Sequence, residues 1–265
     1  MMDYALLLRT FLLRSARYFP KKEIVSVYPD SVFRYTYGDY YKRVCQLAHA
    51  LKSLGVERGD RVASVALNDH RHLELYLGVP CYGAVLHTVN FRLPQNHLVH
   101  VLNHAEDQVV FVDEDLLLFV ELVKDQLKTV RQFVVLSHTG KMPDTSIENI
   151  VLYDDLIRDF PEEYDFPIDL KETDPALICY TSATTGDPKG VVYSHRAIVL
   201  HSYAVATTFG AGESDCILHI VPMFHANAWC GPFAGVGAGC KQVLPGREVI
   251  NTEKLCSMIA EEKVT

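Results

Sequence analysis

The sequence predicts an α/β fold in which mostly parallel sheets are flanked by helices. Short apolar runs that are typical of buried strands alternate with stretches of helical periodicity along most of the 265 residues. This alternation is the pattern of a parallel sheet covered by helices on both faces. The apolar content of 49% is sufficient for one large core or two smaller ones.

The predicted strands are short runs rich in valine, isoleucine and tyrosine, and most are bounded by glycine, proline or aspartate. The first two surround a Pro-Asp pair, which predicts a hairpin. Most of the others are separated by helical stretches and are therefore expected to pair in parallel. In chain order, the predicted strands cover 23–28, 32–37, 61–67, 84–89, 108–112, 132–136, 176–180, 216–221 and 241–244.

The predicted helices combine apolar periodicity with recognisable ends. Thr36 and Asp39 have the spacing of an N-terminal capping box, and Gly55 ends the helix that follows them. The segment 137–173 is polar and broken by three prolines, so it predicts an irregular connection with one short helix near 153–159. The other predicted helices cover 4–14, 37–54, 71–82, a stretch after Pro94, 194–207 and 252–262.

Composition and charge disfavour several classes of function. A formal net charge of −8 argues against general binding to nucleic acid or to anionic membranes. No apolar run is long enough for a transmembrane segment, and two arginines interrupt the N-terminal run, which predicts a docked amphipathic helix rather than a signal peptide. The seven cysteines form no Cys-x-x-Cys pair, so a reducing cytoplasm is favoured over a zinc site or a disulfide framework.

The segment 180–191 has the composition of a polyphosphate-binding loop. Four hydroxyl side chains beyond the tyrosine, two glycines and a lysine follow the apolar run 176–179. Glycines let the backbone approach an anion, successive N–H groups form a nest of partial positive charge, and hydroxyls and a lysine add hydrogen bonds and charge. A Walker A loop requires serine or threonine after its lysine, whereas Gly190 follows Lys189. The segment therefore predicts a nucleotide-phosphate loop of another type.

A second motif, Val-Pro-Met-Phe-His-Ala-Asn-Ala-Trp, lies at 221–229 after another apolar run. His225 can donate a hydrogen bond or, if protonated, place positive charge beside a carboxylate or an α-phosphate. Trp229 is the one tryptophan of the chain, and its broad apolar face suits the wall or gate of a pocket. A single histidine or tryptophan is more often a core residue, so the position after the loop is what favours a site.

Together the two motifs resemble those of the adenylate-forming superfamily, which comprises acyl-CoA synthetases, luciferases and peptide-synthetase adenylation domains. The loop is similar to the superfamily's phosphate loop almost residue for residue, except that Ala183 stands where glycine is usual. If this position adopts positive φ, a β-carbon costs on the order of 1 kcal/mol. Segments that are similar to medium- to long-chain fatty acid–CoA ligases lie at 59–63, 87–93, 102–107 and 190–197.

The resemblance implies that a carboxylic acid, most simply a medium- or long-chain fatty acid, is activated with ATP. The carboxylate would attack the α-phosphorus with loss of pyrophosphate, and the thiol of coenzyme A would then attack the acyl-AMP. ATP, Mg²⁺ and coenzyme A are therefore the expected cofactors and co-substrates. A short, aryl or methylthio acid stays open as an alternative substrate.

The resemblance also implies roles for individual residues. Catalytic roles fall to Lys189 and His225, and the hydroxyl of Thr181 would be directed at Mg²⁺. The expected substrate-binding residues are His225, Ala226, Asn227 and Trp229. The expected nucleotide-binding residues are Thr181, Ser182, Ala183, Thr184, Thr185, Gly186, Lys189 and Gly190.

One possible metal site is disfavoured. His97, His100 and His104 fall at helical spacings of three and four, which could place them on one face. No carboxylate or cysteine arrangement in the sequence completes a ligand set, so a polar helix face is the preferred interpretation.

The resemblance predicts that 1–265 is the incomplete N-terminal domain of a longer synthetase. A first α/β portion would cover 1–175, and the phosphate loop with a further α/β portion would cover 176–265. The C-terminal domain and the later motifs that grip AMP and carry the adenylation lysine would be absent. We therefore expect the chain to be inactive alone, with a self-standing binding or interaction module as the alternative. The N-terminal helix could join a homodimer interface.

Overall fold

The computed structural model describes residues 4–181 and 186–265. Its strands are β1 Glu23–Val27, β2 Val32–Thr36, β3 Arg61–Val65, β4 Val85–Thr88, β5 Asp107–Asp113, β6 Gln132–Leu136, β7 Ile150–Leu152, β8 Pro175–Tyr180, β9 Gly190–Ser194, β10 Cys216–Leu218 and β11 Lys241–Leu244. Its α-helices are α1 Arg9–Tyr18, α2 Tyr37–Ser53, α3 His70–Tyr82, α4 Gln95–His104, α5 Leu117–Glu121, α6 Tyr153–Ile157, α7 His195–Phe209, α8 Gly231–Ala238 and α9 Thr252–Glu262.

The larger of two sheets has seven strands in the order β7-β6-β5-β3-β4-β8-β9. All neighbouring pairs in this sheet are parallel except β8 and β9. The connection after β3 leads to β4, towards the β9 edge of the sheet. The connection after β5 leads to β6, towards the opposite edge at β7. The carboxyl ends of β3 and β5 therefore form a topological switch point, where functional sites of α/β sheets commonly lie.

The smaller sheet has four strands in the order β10-β11-β1-β2. The hairpin β1–β2 is antiparallel, as its Pro-Asp turn predicts, and the other two pairs are parallel. Both sheets combine strands from 1–175 with strands from 176–265, so these two stretches are interleaved in the fold. The predicted α/β class with mostly parallel sheets is confirmed.

The core follows from the alternation of side chains along the strands. Val62 and Ala63 point to opposite faces of the larger sheet and belong to two different apolar clusters. Helix α3 lies between the sheets, and its residues from His70 to Cys81 are all buried. Helix α2 packs beside it and begins at the predicted capping box, in which Thr36 and Asp39 exchange hydrogen bonds.

Several elements differ from the sequence prediction. Strand β9 was missed because its edge position leaves most of it exposed, without the apolar pattern of a buried strand. Helix α8 was missed because it contains three glycines, including its first residue, and glycine lowers helix propensity. Helix α5 and strand β7 were also missed, and both are very short. Strand β10 ends at Leu218 rather than at residue 221, since Asn68 binds the carbonyls of His219 and Val221.

Among the described residues, no helix combines the length and the apolar character that crossing a membrane requires.

Candidate functional site

The predicted phosphate loop connects two antiparallel strands. Tyr180 and Gly190 form the last pair of the β8–β9 hairpin. The N–H of Thr181 donates to the carbonyl of Lys189 at 3.0 Å, and the N–H of Lys189 donates to Oγ1 of Thr181 at 3.3 Å. These two predicted site residues therefore close the base of the loop. Ser182, Ala183, Thr184 and Thr185 lie outside the described residues, so their phosphate contacts stay a prediction.

Each of the two glycines of the loop, Gly186 and Gly190, has a conformational or steric role that favours glycine over other residues. Gly186 has a φ of +88°, a left-handed conformation that favours glycine. At Gly190, a β-carbon would lie 3.1 Å from Cζ of the Tyr180 ring. A β-carbon at this position would crowd the ring, so glycine lets the strand and the ring pack in close contact without a shift of Tyr180. Lys189 is exposed beside them, which leaves its ammonium accessible to an anion.

Tyr180 anchors the loop to helix α4. Its hydroxyl lies 2.7 Å from Nδ1 of His104, and its ring centroid lies 5.0 Å from that of His87. Burial raises the pKa of Tyr180 to about 12, so the hydroxyl stays protonated at neutral pH and can donate to the imidazole. This role of His104 was missed, because helical spacing indicates only which histidines share a face.

The second motif forms a tight turn followed by a strained one. The N–H of His225 donates to the carbonyl of Pro222 at 3.0 Å, and the N–H of Ala228 donates to the carbonyl of His225 at 3.0 Å. Residues 226–230 all have φ between 43° and 59°. The left-handed conformation costs L-residues about 1–2 kcal/mol each, and strain of this kind concentrates at functional sites.

Side chains from the larger sheet and from α3 hold this turn. Thr88, at the end of β4, donates to the amide oxygen of Asn227 at 3.1 Å and approaches the carbonyl of Phe224 at 3.5 Å. The hydroxyl of Tyr76 donates to the carbonyl of Met223. Asn227 is only 1% exposed, so its side chain is engaged in supporting the turn.

The two motifs converge at one edge of the larger sheet. Thr88 of β4 is in register with Cys179 of β8, and the phosphate loop begins just beyond Cys179. Because Thr88 also binds the turn of the second motif, that turn lies against the strand ends from which the loop emerges. The arrangement places the base of the predicted phosphate loop and an exposed histidine, His225, on the carboxyl side of parallel strands.

A cavity of about 460 Å³ lies between helix α7 and the strained turn. The predicted residues Ala226, Asn227 and Trp229 are in its wall, whereas His225 is not part of that wall. Trp229 is 68% exposed and also borders a second cavity of about 480 Å³. The lining of the first cavity is Tyr193, Ala197, Ile198, His201, Ala226, Asn227, Trp229 and Cys230.

Sequence reasoning missed the wall that α7 contributes. Ala197 and His201 are four residues apart, a spacing that places them on one helix face beside Tyr193 of β9. Ser194 caps this helix by accepting a hydrogen bond from the N–H of Ala197 at 3.2 Å. The signal was present as a helical spacing, but nothing in the sequence indicated which face of the helix meets the second motif.

Three buried titratable groups of β8, α7 and the strained turn are uncharged at neutral pH. Burial raises the pKa of the Cys179 thiol and raises that of Cys230 to about 12, so both thiols stay protonated. Burial lowers the pKa of His195, at the start of α7, to about 4, so its imidazole is neutral at pH 7. Its Nδ1 lies 3.4 Å from the N–H of Leu8, which donates to it. Cys230 is the member of this set that lines the cavity, and a protonated thiol there suits an apolar ligand better than a second anion.

The fold, the predicted phosphate loop between β8 and β9, and the adjoining histidine turn at residues 222–230 are the features of an AMP-binding enzyme. The family model described as "AMP-binding enzyme" matches residues 12–265, and the chain belongs to this family. The predicted resemblance to adenylate-forming enzymes is therefore confirmed.

The chain is similar to several acyl-CoA ligases. It is 47% identical, over 93% of its length, to the long-chain-fatty-acid–CoA ligase of Thermus thermophilus, of which it covers 44%. It is 38% identical to the 3-methylmercaptopropionyl-CoA ligase of Ruegeria lacuscaerulensis, over 100% of this chain and 49% of the relative. The chain also matches the crystal structure of a putative long-chain-fatty-acid CoA ligase from Rhodopseudomonas palustris with a TM-score of 0.85 and 26% identity, covering 100% of this chain and 63% of that one. The chain thus spans about half the length of the relatives.

Proposed function

We propose that the chain supplies the phosphate-binding and acyl-binding part of an AMP-forming acid–thiol ligase. A carboxylate attacks the α-phosphorus of ATP and pyrophosphate leaves; the thiol of coenzyme A then attacks the acyl-AMP, forms the thioester and releases AMP. The observation that carries the proposal is the convergence of the loop and the histidine turn at the ends of β4 and β8. Residues 1–265 form part of the large domain in this proposal.

Neither half-reaction needs a nucleophile from the protein. The barrier falls when two anionic reactants are held in line and the charge on the phosphates is neutralised. Lys189 supplies a mobile positive charge, and Ser182, Thr184, Thr185 and Gly186 supply hydrogen-bond donors to the β- and γ-phosphates. His225 donates to the carboxylate and the α-phosphate, while Ala226 and Trp229 line the acyl or adenylate pocket.

Mg²⁺ fits this site as a partner of the nucleotide. The described residues contain no group of three or more His, Cys, Asp or Glu that could hold a metal ion. Thr181 offers an exposed hydroxyl oxygen, the hard type of ligand that Mg²⁺ prefers, and phosphate oxygens commonly supply much of the remaining shell. When bound, the ion would neutralise charge on the phosphates.

The acid that best fits the cavities is a medium- or long-chain fatty acid. Two cavities of about 460 and 480 Å³ meet at Trp229, and the second is lined by Val205, Phe209 and Ile217 among others. Each methylene buried there is worth about 0.8 kcal/mol, which favours long apolar chains over short ones. A methylthio acid is the second candidate, on the similarity to the Ruegeria ligase.

We place the reaction in the cytoplasm, because all seven cysteines are free thiols and a reducing compartment keeps cysteines in this state. A homodimer that uses α1 stays a prediction.

The loop assignment is tested in the longest reading frame that contains this chain. Lys189→Ala should lower kcat/KM for MgATP about tenfold or more, because a charge-assisted contact worth about 1.5–3 kcal/mol is lost. Thr181→Val should shift the Mg²⁺ dependence of acid-dependent pyrophosphate release. Lys52→Ala, on the exposed surface of α2, is the matched control and should change neither. Wild-type ATP and Mg²⁺ profiles in both loop variants would show that the assignment is wrong.

A further inference from the structure

Asn68 makes an unusual set of contacts for a residue that is not in either motif. It lies just beyond β3, at the switch point of the larger sheet, and is 6% exposed. Its Nδ2 donates to the carbonyls of His219 and Val221 at 2.8 and 2.9 Å. Its Oδ1 accepts from the N–H of Met223 at 2.8 Å. All three side-chain hydrogen bonds therefore go to the main chain that leads into the histidine turn.

These contacts begin where the β-ladder of this segment stops. Strand β10 ends at Leu218, and the N–H of His219 still donates to the carbonyl of Val243 in β11 at 2.9 Å, so it is the main chain of 220–223 that has left the sheet. A primary amide presents two donors and an acceptor on a short rigid side chain, which matches two carbonyls and one N–H. Aspartate has nearly the same shape but only accepts, so it would lose both donated bonds and place negative charge against two carbonyls.

Asn68 also joins this segment to the rest of the fold. Its own carbonyl accepts from the N–H of Gly246 at 3.0 Å, just after β11. The carbonyl and amide of Asn68 thus connect the end of β3, the segment after β10 and the segment after β11. The far side of the histidine turn is held separately by Thr88 through Asn227. The turn is therefore fixed at both ends. Before His225, Asn68 holds the N–H of Met223 and the hydroxyl of Tyr76 holds its carbonyl.

We propose that Asn68 is a positioning residue for His225 in the acid-activating step. The inference rests on the proposed function, since it assigns Asn68 a part in the reaction of that site. The tight turn from Pro222 to His225 moves with Met223, which Asn68 holds directly. Loss of the three Asn68 hydrogen bonds changes where the imidazole of His225 lies. It does not change the phosphate loop, which belongs to the β8–β9 hairpin.

The first test uses this chain and needs no catalysis. In Asn68→Asp, amide hydrogen exchange over 219–230 should accelerate about tenfold or more, and the emission of Trp229, the single tryptophan, should change. Asn103→Asp is the matched control: Asn103 also donates to one carbonyl, that of Gln126, and accepts from one N–H, that of Lys128. It should leave the exchange of 219–230 and the tryptophan emission unchanged.

If Asn68→Asp does not fold, Asn68→Ser, which keeps one donor, takes its place. A uniform acceleration of exchange across β3, β5 and 219–230 would mean that Asn68 only stabilises the fold, and would overturn the proposal.

The second test is a double-mutant cycle in the longest reading frame that contains this chain. Asn68→Asp should lower the rate of acid-dependent pyrophosphate release about tenfold with KM for MgATP unchanged, since one well-placed contact is lost. In the His225→Ala background, the same substitution should lower the rate less than about twofold, because the group that it positions is gone. A rescue by Asn68→Ser to an intermediate rate should accompany this pattern.

Equal losses in the two backgrounds would overturn the positioning role. A His225→Ala variant with the parent's rate would overturn it as well, because Asn68 would then have no catalytic group to position. A parent protein without acid-dependent pyrophosphate release would instead contradict the proposed function, and the exchange experiment would still decide whether Asn68 holds the turn.

Discussion

The turn at 226–230 owes its position to particular side chains. Five successive non-glycine residues with positive φ are costly, so neighbouring contacts must offset the strain. Asn227 is buried and accepts from Thr88, and Ala228 and Cys230 are buried in the core. Trp229 is the exposed member of the turn, and its indole lies at the junction of two cavities.

Trp229 is therefore expected to set the length of the acid that is accepted. Trp229→Ala keeps the β-carbon, so the backbone strain of the turn is unchanged while the wall between the two cavities is removed. For acids of C2 to C18, kcat/KM should rise several-fold per two added carbons, and the maximum should move to longer chains in the variant. The profile is measured with the longest reading frame that contains this chain.

The control for this experiment is Ile168→Ala. Ile168 is 82% exposed and lines neither cavity, so its substitution should leave the profile of the parent unchanged. An identical chain-length profile in Trp229→Ala and the parent would show that the acyl chain does not pass this residue.

At the scale of elements, two helices near the site end in the same way. Helix α7 is capped by the next residue, Gly210, with a φ of 64°, and helix α8 is capped by Gly239 with a φ of 76°. Both glycines adopt the left-handed conformation that commonly closes a helix. They differ in their surroundings, because a β-carbon at Gly239 would lie 2.4 Å from the ring of Phe19, whereas one at Gly210 would meet nothing within 4 Å.

These two glycines form a matched pair for measuring packing. Gly210→Ala should lower the free energy of unfolding by about 1 kcal/mol, the cost of the left-handed conformation alone. Gly239→Ala should cost about 1–3 kcal/mol more, because Phe19 must also move. Urea denaturation of this chain measures both values. Equal losses would mean that the ring of Phe19 adapts freely and that the contact between α8 and the N-terminal segment is loose.

A partly buried ionic network holds the short helix α6 in place. Asp154 accepts from Arg43 of α2 at 2.7 Å and from Arg71 of α3 at 2.7 Å. The neighbouring Tyr153 donates to Glu74 of α3 at 2.6 Å. Because such a network is stable only when every member is paired, it gives α6 one position against α2 and α3.

At the scale of the whole molecule, buried neutral histidines link stability to pH. Burial lowers the pKa of His72, His195 and His219 to about 4 each. The unfolded chain therefore takes up protons first as the pH falls below the ordinary value of about 6.5. The stability that these groups contribute is complete above about pH 6.5 and is lost as the pH falls towards 4.

His219→Gln isolates one of these contributions. The Nε2–H of His219 donates to Oε1 of Gln242 at 2.8 Å, and a glutamine amide can replace this bond without titrating. Between pH 6.5 and 4, the free energy of unfolding of the variant should fall by about 3 kcal/mol less than that of the parent.

The variant and the parent are compared by the difference between their curves of unfolding free energy against pH. This difference is needed because other groups, present in both proteins, change stability in the opposite direction. Burial raises the pKa of Asp113 well above its ordinary value, so Asp113 contributes stability in the opposite direction as the pH falls. The exposed His201, replaced by asparagine, serves as a surface control. Parallel curves for His219→Gln and the parent would contradict the assignment of a neutral buried imidazole.

Local pattern was sufficient for the class of fold and for most of the elements. Three features depend only on residues that are close in sequence and can therefore be recognised without a structure. They are the alternation of strands and helices, the capping box at Thr36 and Asp39, and the apolar runs before 181 and 221. The same holds for the two motifs, because the resemblance to the AMP-binding family rests on short runs of neighbouring residues. Edge strand β9 and the glycine-rich α8 were missed because neighbours in space, rather than local preference, stabilise them.

The order of the strands, and with it the site, was decided only by the tertiary structure. The sequence by itself predicted the loop, the histidine and the tryptophan, but it contained no local sign that Asn68, Thr88 and Tyr76 would hold the second motif. Their hydrogen bonds to the second motif join residues that are 155, 136 and 147 positions apart in the sequence. Hydrogen bonds of that range form only after the sheets have packed, because the partners are main-chain groups whose positions follow from the topology rather than from the residues beside them.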